Sequence, residues 1–405
     1  MKPIVRAGRM KPVHSDIRGP LFVEAMKRQK QGIDILKLNT GNPATFGFGL
    51  PDSIKNALME HMQDGVGYCD FKGMPQARQA ICDYETSKGI KGITPDDVFI
   101  GNGVSEVVSF ALTPLLNDGD EVLVPSPSYS LWGNSVYLED GKPVFYTCDE
   151  QANWYPDIQD IRSKITDKTK AIVIINPNNP TGVLYPKELL LEIIQIARES
   201  GLLIFADEIY DRLVMDGKQH ISLASLTEDV PVITLNGLSK SHCLCGYRCG
   251  WMVIRGPREL TEDYRQGIIQ LTSLRLCANT MAQIVIPAAL DDMETPASMV
   301  RPGGRIYEQR EATVRELEKI DGLSFVKNDA AFYVFPKLDV KKFNITNDKQ
   351  FAHDLLDVTN ILLVPGSGFD WKDPDHFRIV MLPQADILSD AIRRMGTFLD
   401  GYKQK

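Results

Sequence analysis

The sequence predicts an α/β fold, a large three-layer domain on a mostly parallel central sheet with a smaller α+β domain beside it. Three observations lead there. Short apolar runs alternate with amphipathic stretches from about residue 95 to 255. Several of those runs are almost continuously apolar, as strands covered on both faces must be. After about residue 300 the character changes, beginning with the turn-rich break Arg301-Pro-Gly-Gly-Arg305.

The predicted strands, in chain order, are Val98–Gly101, Glu121–Val124, Pro143–Thr147, Ala171–Ile175, Leu202–Ala206, Val232–Leu235 and Gly250–Ile254. Between the fourth and fifth lies Pro186–Ser200, where Leu190, Ile193, Ile194 and Ala197 recur at the i, i+3, i+4, i+7 spacing of one helical face. Strand, helix, strand in that order reads as a crossover unit. A helix starting at Gly103 is expected to run to about Leu116. Beyond the break, a charged helical stretch from Ile306 to Ile320 precedes strand candidates at Ala331–Phe335 and Phe377–Val380. The expected division is an N-terminal segment, 1–46, that contributes to the small domain and to closure of the site; a large domain, 47–300; and a small C-terminal domain, 301–405.

Charge and composition narrow the function classes. With 45 basic and 53 acidic residues the chain carries a net charge of −8, so no overall field draws it to nucleic acid or anionic lipid. No apolar run approaches the ~18–20 residues that span a bilayer. The basic start, with Lys2, Arg6, Arg9 and Lys11, lacks the apolar core of a targeting segment. Seven cysteines, an odd number scattered through a long chain, argue for a reducing compartment. The expected location is cytoplasmic.

Chemistry concentrates just after the predicted strands. Asn176-Pro-Asn-Asn-Pro-Thr-Gly182 is a rigid turn at a strand end, the edge where open α/β sheets bind ligands. Leu202-Leu-Ile-Phe-Ala-Asp-Glu-Ile-Tyr210 carries Asp207 out of a strand, where a carboxylate either caps the next helix or meets a cation or strong donor. Asn236-Gly-Leu-Ser-Lys240 sets a lysine among small residues, where lost hydration lowers an amine's pKa and suits it to Schiff-base chemistry. Gly246-Tyr-Arg-Cys-Gly250 gives Arg248 room to reach a phosphate.

In this order and spacing, these motifs resemble the fold-type I pyridoxal-phosphate enzymes, specifically the class I and II aminotransferases, from Gly41 to Arg378. The resemblance implies pyridoxal 5'-phosphate as cofactor, held as a Schiff base on the catalytic Lys240. It implies that Asp207 keeps the ring nitrogen protonated, that Asn179 and Tyr210 bond the phenolic oxygen, and that Tyr129 stacks on the ring. The phosphate would rest on Gly103, Val104 and Ser105 at a helix start, where amides favour an anion. Ser239, Arg248 and Tyr68 would complete its binding, Tyr68 from the neighbouring subunit of a homodimer. Arg378 would grip the substrate α-carboxylate, together with Gly41 and Asn179. Where many relatives have a serine three residues before the lysine, this chain has Gly237.

Two weaker signals are set aside. Gly101-Asn-Gly103 is half of a dinucleotide fingerprint. Cys243, Cys245 and Cys249 have loosely metal-like spacing but fall inside the lysine–arginine segment and read as reduced thiols, so no metal is expected. The subgroup resemblance, carried by Asp16-Ile-Arg-Gly-Pro20, Leu38-Asn-Thr-Gly-Asn-Pro43 and the Arg301–Arg305 break, is to alanine aminotransferases. It implies transfer from L-alanine to 2-oxoglutarate by a ping-pong route. Aspartate, aromatic or branched-chain transamination and other activities of this fold stand as alternatives. Holding both a methyl group and a second carboxylate calls for a movable cation, with Arg18 the first candidate and Arg275 the second. Relatives usually carry an aromatic at the position of Ser15.

Overall fold

A computed structural model describes residues 2–405. Its centre is an eight-stranded sheet made of β1 (Val98–Asn102), β2 (Glu121–Ser126), β3 (Lys142–Asp149), β4 (Tyr155–Pro156), β5 (Thr169–Ile175), β6 (Leu203–Asp207), β7 (Val232–Gly237) and β8 (Cys249–Arg255). The spatial order is β1-β8-β7-β6-β5-β2-β3-β4. The pairings β2–β3, β2–β5, β5–β6 and β6–β7 are parallel, whereas β8 runs antiparallel to both its neighbours and β4 to β3. The seven predicted strands are all present. The two-residue edge strand β4 is additional.

The sheet is buried on both faces, and the two-residue period of a strand explains how. In β5, Ala171, Val173 and Ile175 enter one core while Ile172 and Ile174 enter the other. The first core is closed by α1 (Val104–Leu112) and α2 (Leu131–Leu138), through Val107, Val108, Trp132 and Val136. The second is closed by α3 (Lys187–Ser200), whose Leu190, Ile193, Ile194 and Ala197 form the predicted apolar face. Helices on both faces make the three layers. α1 ends at Leu112, short of the expected Leu116, because Pro114 has no amide to donate to the next helical hydrogen bond.

The last hundred residues build a smaller region with its own core, in which α4 (Arg305–Leu317) packs near α5 (Ala385–Leu399) around Leu317, Phe351, Leu355, Ile379, Ile392 and Met395. A small antiparallel sheet there joins β9 (Tyr333–Val334), β10 (Val364–Pro365) and β11 (Phe377–Val380). The expected strand Ala331–Phe335 is shortened to β9, since Ala331 has φ +59°, outside strand geometry. The N-terminal segment is woven into this region: Leu36–Lys37 pairs in parallel with Ile361–Leu362.

No single helix among the described residues is long and apolar enough to cross a membrane.

Candidate active site

Five parallel strands deliver functional groups at their carboxyl ends. β1 leads into Gly103, β2 into Tyr129, β5 into the Asn176–Gly182 turn, β6 ends on Asp207, and β7 leads through Gly237 to Lys240. Asp207 lies beside Ile175 on one neighbour and Leu235 on the other. The motifs read separately from the sequence therefore meet along one edge, as ligand sites of parallel sheets do.

Asp207 is 5% exposed. Burial pushes its carboxyl up to about 6, against the Trp132 hydrogen bond and the Lys240 charge, which act to lower it. Lys240, half-buried, donates from Nζ to the Gly41 carbonyl at 3.0 Å. Its pKa runs opposite to the sequence expectation. Burial works to lower it, but the surrounding Tyr333, Cys245 and Tyr129 outweigh that effect and the amine's pKa is raised. Gly237, unlike a serine, fits the close packing of β7 on β8, because a Cβ there would lie 2.5 Å from the Cys249 carbonyl oxygen.

The smaller region supplies the other wall. Arg378 on β11 is buried, and its guanidinium lies between the rings of Tyr333 and Phe369, 4.5 and 4.6 Å from their centroids. Nη1 donates to Asn179 Oδ1 at 2.9 Å, Nη2 donates to the Asn39 carbonyl, and Nε has no partner among the described residues. Burial lowers the pKa of this guanidinium from its usual value. The Asn176–Gly182 turn is fixed from within by Thr181 Oγ1 donating to Asn178 Oδ1 at 3.0 Å. It is fixed from outside by the Asp329 and Ala330 amides, which donate to the Gly182 carbonyl. Gly182 is required there: its φ is +70°, and a Cβ would meet Asn328 Cβ at 2.6 Å.

Tyr210 and Tyr333 share a hydroxyl–hydroxyl hydrogen bond of 2.9 Å. Tyr333 is a site residue that the motifs did not reveal. Its hydroxyl sits where a Cβ on Gly41 would fall, 2.3 Å away. Trp132 is a second, donating to Asp207 at 3.1 Å. Its only sequence signal is a place one helical turn after Tyr129.

At the other end, Gly103 has φ +84° and opens α1. A Cβ on it would lie 2.2 Å from Arg248 Nη2, so the guanidinium rests directly against the helix start. Val104 is half-buried and Ser105 exposed in the first turn. Free amides, a helix dipole and an arginine make an anion cradle. Ser239 is half-buried near this edge, its carbonyl accepting from Cys245 Sγ.

Tyr68, Arg18 and Arg275 are not drawn into this cluster. Tyr68 is 83% exposed. Arg18 is exposed, with no hydrogen bond or ion pair among the described residues. Its neighbour Ile17 is tied to the site, since Asn39 Nδ2 donates to the Ile17 carbonyl at 2.9 Å. Arg275 is committed elsewhere, bonding Glu106 Oε2 at 2.5 Å and the carbonyls of Phe71 and Ile100 at 3.1 and 3.2 Å. That corrects its candidacy as a movable cation.

All seven cysteines are free, and none belongs to a grouping of potential metal ligands among the described residues. One such grouping, Glu208 with Asp211 and His220, already holds a cation. Lys88 Nζ lies 2.8 Å from Glu208, 3.3 Å from Asp211 and 2.6 Å from Glu85.

Residues 33–392 match the family model of aminotransferase class I and II, and the chain belongs to that family. It is 50% identical over 404 residues to a glutamate-pyruvate aminotransferase, AlaA, of Haemophilus influenzae, covering 100% of both chains. Among solved structures it is similar to an aminotransferase from Escherichia coli, with TM-score 0.98 and 47% identity over 100% of both chains. It is also similar to an alanine aminotransferase from Pyrococcus furiosus, with TM-score 0.93 and 41% identity over 98% of this chain and 100% of that one.

Proposed function

We propose that this aminotransferase uses pyridoxal 5'-phosphate to move the amino group of L-alanine to 2-oxoglutarate, giving pyruvate and L-glutamate. The observation that carries the reading is the pairing of a buried acid, Asp207, with an amine, Lys240, at adjacent strand ends of one edge. The full-length likeness to the glutamate-pyruvate and alanine enzymes supports the choice of substrates.

The residues present suit that cofactor. The Gly103–Arg248 cradle takes a phosphate, Asp207 faces the same edge as a buried acceptor, Asn179 and Tyr210 offer donors, and Lys240 offers an amine. When bound, the cofactor supplies a sink for the electrons left at the substrate Cα after its proton departs. Asp207 holds a proton on the ring nitrogen through charge pairing. The Lys240 amine would take the proton from the substrate Cα. Arg378, with an unpartnered Nε and two flanking aromatic faces, grips the α-carboxylate, while Asn179 fixes the guanidinium's angle. Arg18 reaches the second carboxylate of glutamate or 2-oxoglutarate. The Ile17–Asn39–Arg378 chain of hydrogen bonds, which anchors its segment beside the carboxylate site, supports that role.

In the same reading the chain works as a cytoplasmic homodimer, and exposed Tyr68 of each protomer reaches its partner's phosphate. Residues 1–46 and 301–405 act as the unit that closes over 47–300. The free cysteines fit a reducing compartment.

The test is a panel of amino acids with 2-oxoglutarate, read together with the visible absorbance of the purified protein. Fastest turnover with alanine, on a protein that absorbs in the visible, is the expected result. Preference for aspartate or an aromatic donor overturns the substrate, and a colourless protein with no transamination overturns the reaction.

A further inference from the structure

Asp207 is closed off from water, and its carboxylate needs donors to stay ionised. It has two. Trp132 Nε1 donates to Oδ2 at 3.1 Å, and the Ile209 amide reaches Oδ1 at a longer 3.4 Å. An indole N–H donates and never accepts, so this contact favours the anion over the neutral acid. Glu208, next in the chain, acts against the anion and Lys240 acts for it.

Trp132 is itself held firmly. It is fully buried on the first turn of α2, and its ring lies 5.3 Å from that of Phe205, tilted by 38°. Phe205 sits two residues before Asp207 on β6 and so shares its side of the sheet. One short segment therefore carries both Tyr129 and, a turn later, the donor to Asp207.

We propose that Trp132 is a positioning residue for the reaction, its indole N–H fixing the orientation of Asp207 and preserving it as the acceptor for the cofactor's ring N–H. The inference rests on the role proposed for Asp207 above.

The test compares Trp132→Phe, which keeps an aromatic and removes the donor, with Trp132→His, which restores a ring N–H. The cofactor-free chain, with ¹³C-labelled aspartate carboxyls, is titrated by NMR, and the Asp207 resonance is identified by its loss in Asp207→Asn. In Trp132→Phe the Asp207 midpoint rises by about one pH unit, and cofactor binding weakens roughly ten- to hundredfold. Trp132→His recovers most of both changes. Phe205→Leu loosens the same packing but leaves the N–H, so it lowers the melting temperature without moving the midpoint.

The proposal is overturned by a Trp132→Phe midpoint and affinity within twofold of the parent, or by the same shift in Phe205→Leu. Should Trp132→Phe not fold, the ¹⁵N-indole resonance of Trp132 in the parent chain decides. It must move with the Asp207 titration and lose that movement in Asp207→Asn, and a pH-independent resonance overturns the proposal. If the cofactor reading itself fails, no variant binds cofactor, while the carboxyl titration still separates the Trp132 variants.

Discussion

Arg378 Nη1 donates to Asn179 Oδ1 at 2.9 Å, joining the final strand of the smaller region to the turn that follows β5. The two residues stand 199 positions apart in the chain, and the bond fixes the plane of a buried guanidinium. Replacing Arg378 by Lys keeps the charge and loses the planar fork. The expected result is a rise in KM of roughly ten- to hundredfold for every amino acid alike, with a smaller fall in kcat. Steady-state kinetics on alanine and glutamate check it, and a loss confined to one of them contradicts the assignment.

Asp207 works at a cost to stability. Its folded carboxyl stands at about 6, above the usual value near 3.8, because burial penalises the anion. The folded chain therefore holds the proton more tightly than the unfolded chain, and stability falls as pH rises from about 4 to about 6. Above that range the penalty is roughly 1–3 kcal/mol. Asp207→Asn should stabilise the cofactor-free chain at pH 7 by that order in urea unfolding, while turnover falls about a hundredfold or more. Unchanged activity in a stabilised variant contradicts the role.

His14 fastens the N-terminal segment. Its Nδ1 lies 3.4 Å from Asp16 and its Nε2 3.0 Å from Asp370, and hydrogen bonds to these two carboxylates raise its pKa to about 9. Lys349 pairs with the other carboxylate oxygen of Asp16, and Asn134 bonds the His14 backbone. Because the folded pKa lies above the unfolded value of about 6.5, this contribution is full below that pH and is lost as pH rises through 9. His14→Gln should lower the melting temperature at pH 6 and approach the parent by pH 10. An equal gap at both pH values contradicts the charge argument.

Arg18 and Arg275 make opposite predictions. Arg18→Ala should raise KM for glutamate and 2-oxoglutarate about tenfold, leaving alanine and pyruvate nearly unchanged. Arg275→Ala breaks the Glu106 pair beside the anion cradle and should affect all substrates through weaker binding of the proposed cofactor. Substrate pairs measured on both variants separate the two.

The sequence made Lys240, Asp207 and Asn179 legible because each lies within a few residues of a buried strand end, where a local motif and its place in the sheet coincide. Trp132 and Tyr333 were not legible. One is an aromatic in a helix and the other an aromatic in a short strand, and each acquires its role from a partner more than 70 residues away. The raised Lys240 pKa is illegible for the same reason, since Tyr333, Cys245 and Tyr129 meet the amine only in the fold. The strand β4 is too short to carry a pattern, and the early end of α1 turned on Pro114.

The central claim is that one amine, on Lys240, carries the cofactor. Borohydride reduction of the purified protein, followed by proteolysis and mass spectrometry, tests it directly. The account predicts a pyridoxyl-phosphate adduct on the peptide containing Lys240, with neither adduct nor turnover in Lys240→Ala. An adduct on another lysine, or turnover that survives in Lys240→Ala, contradicts it.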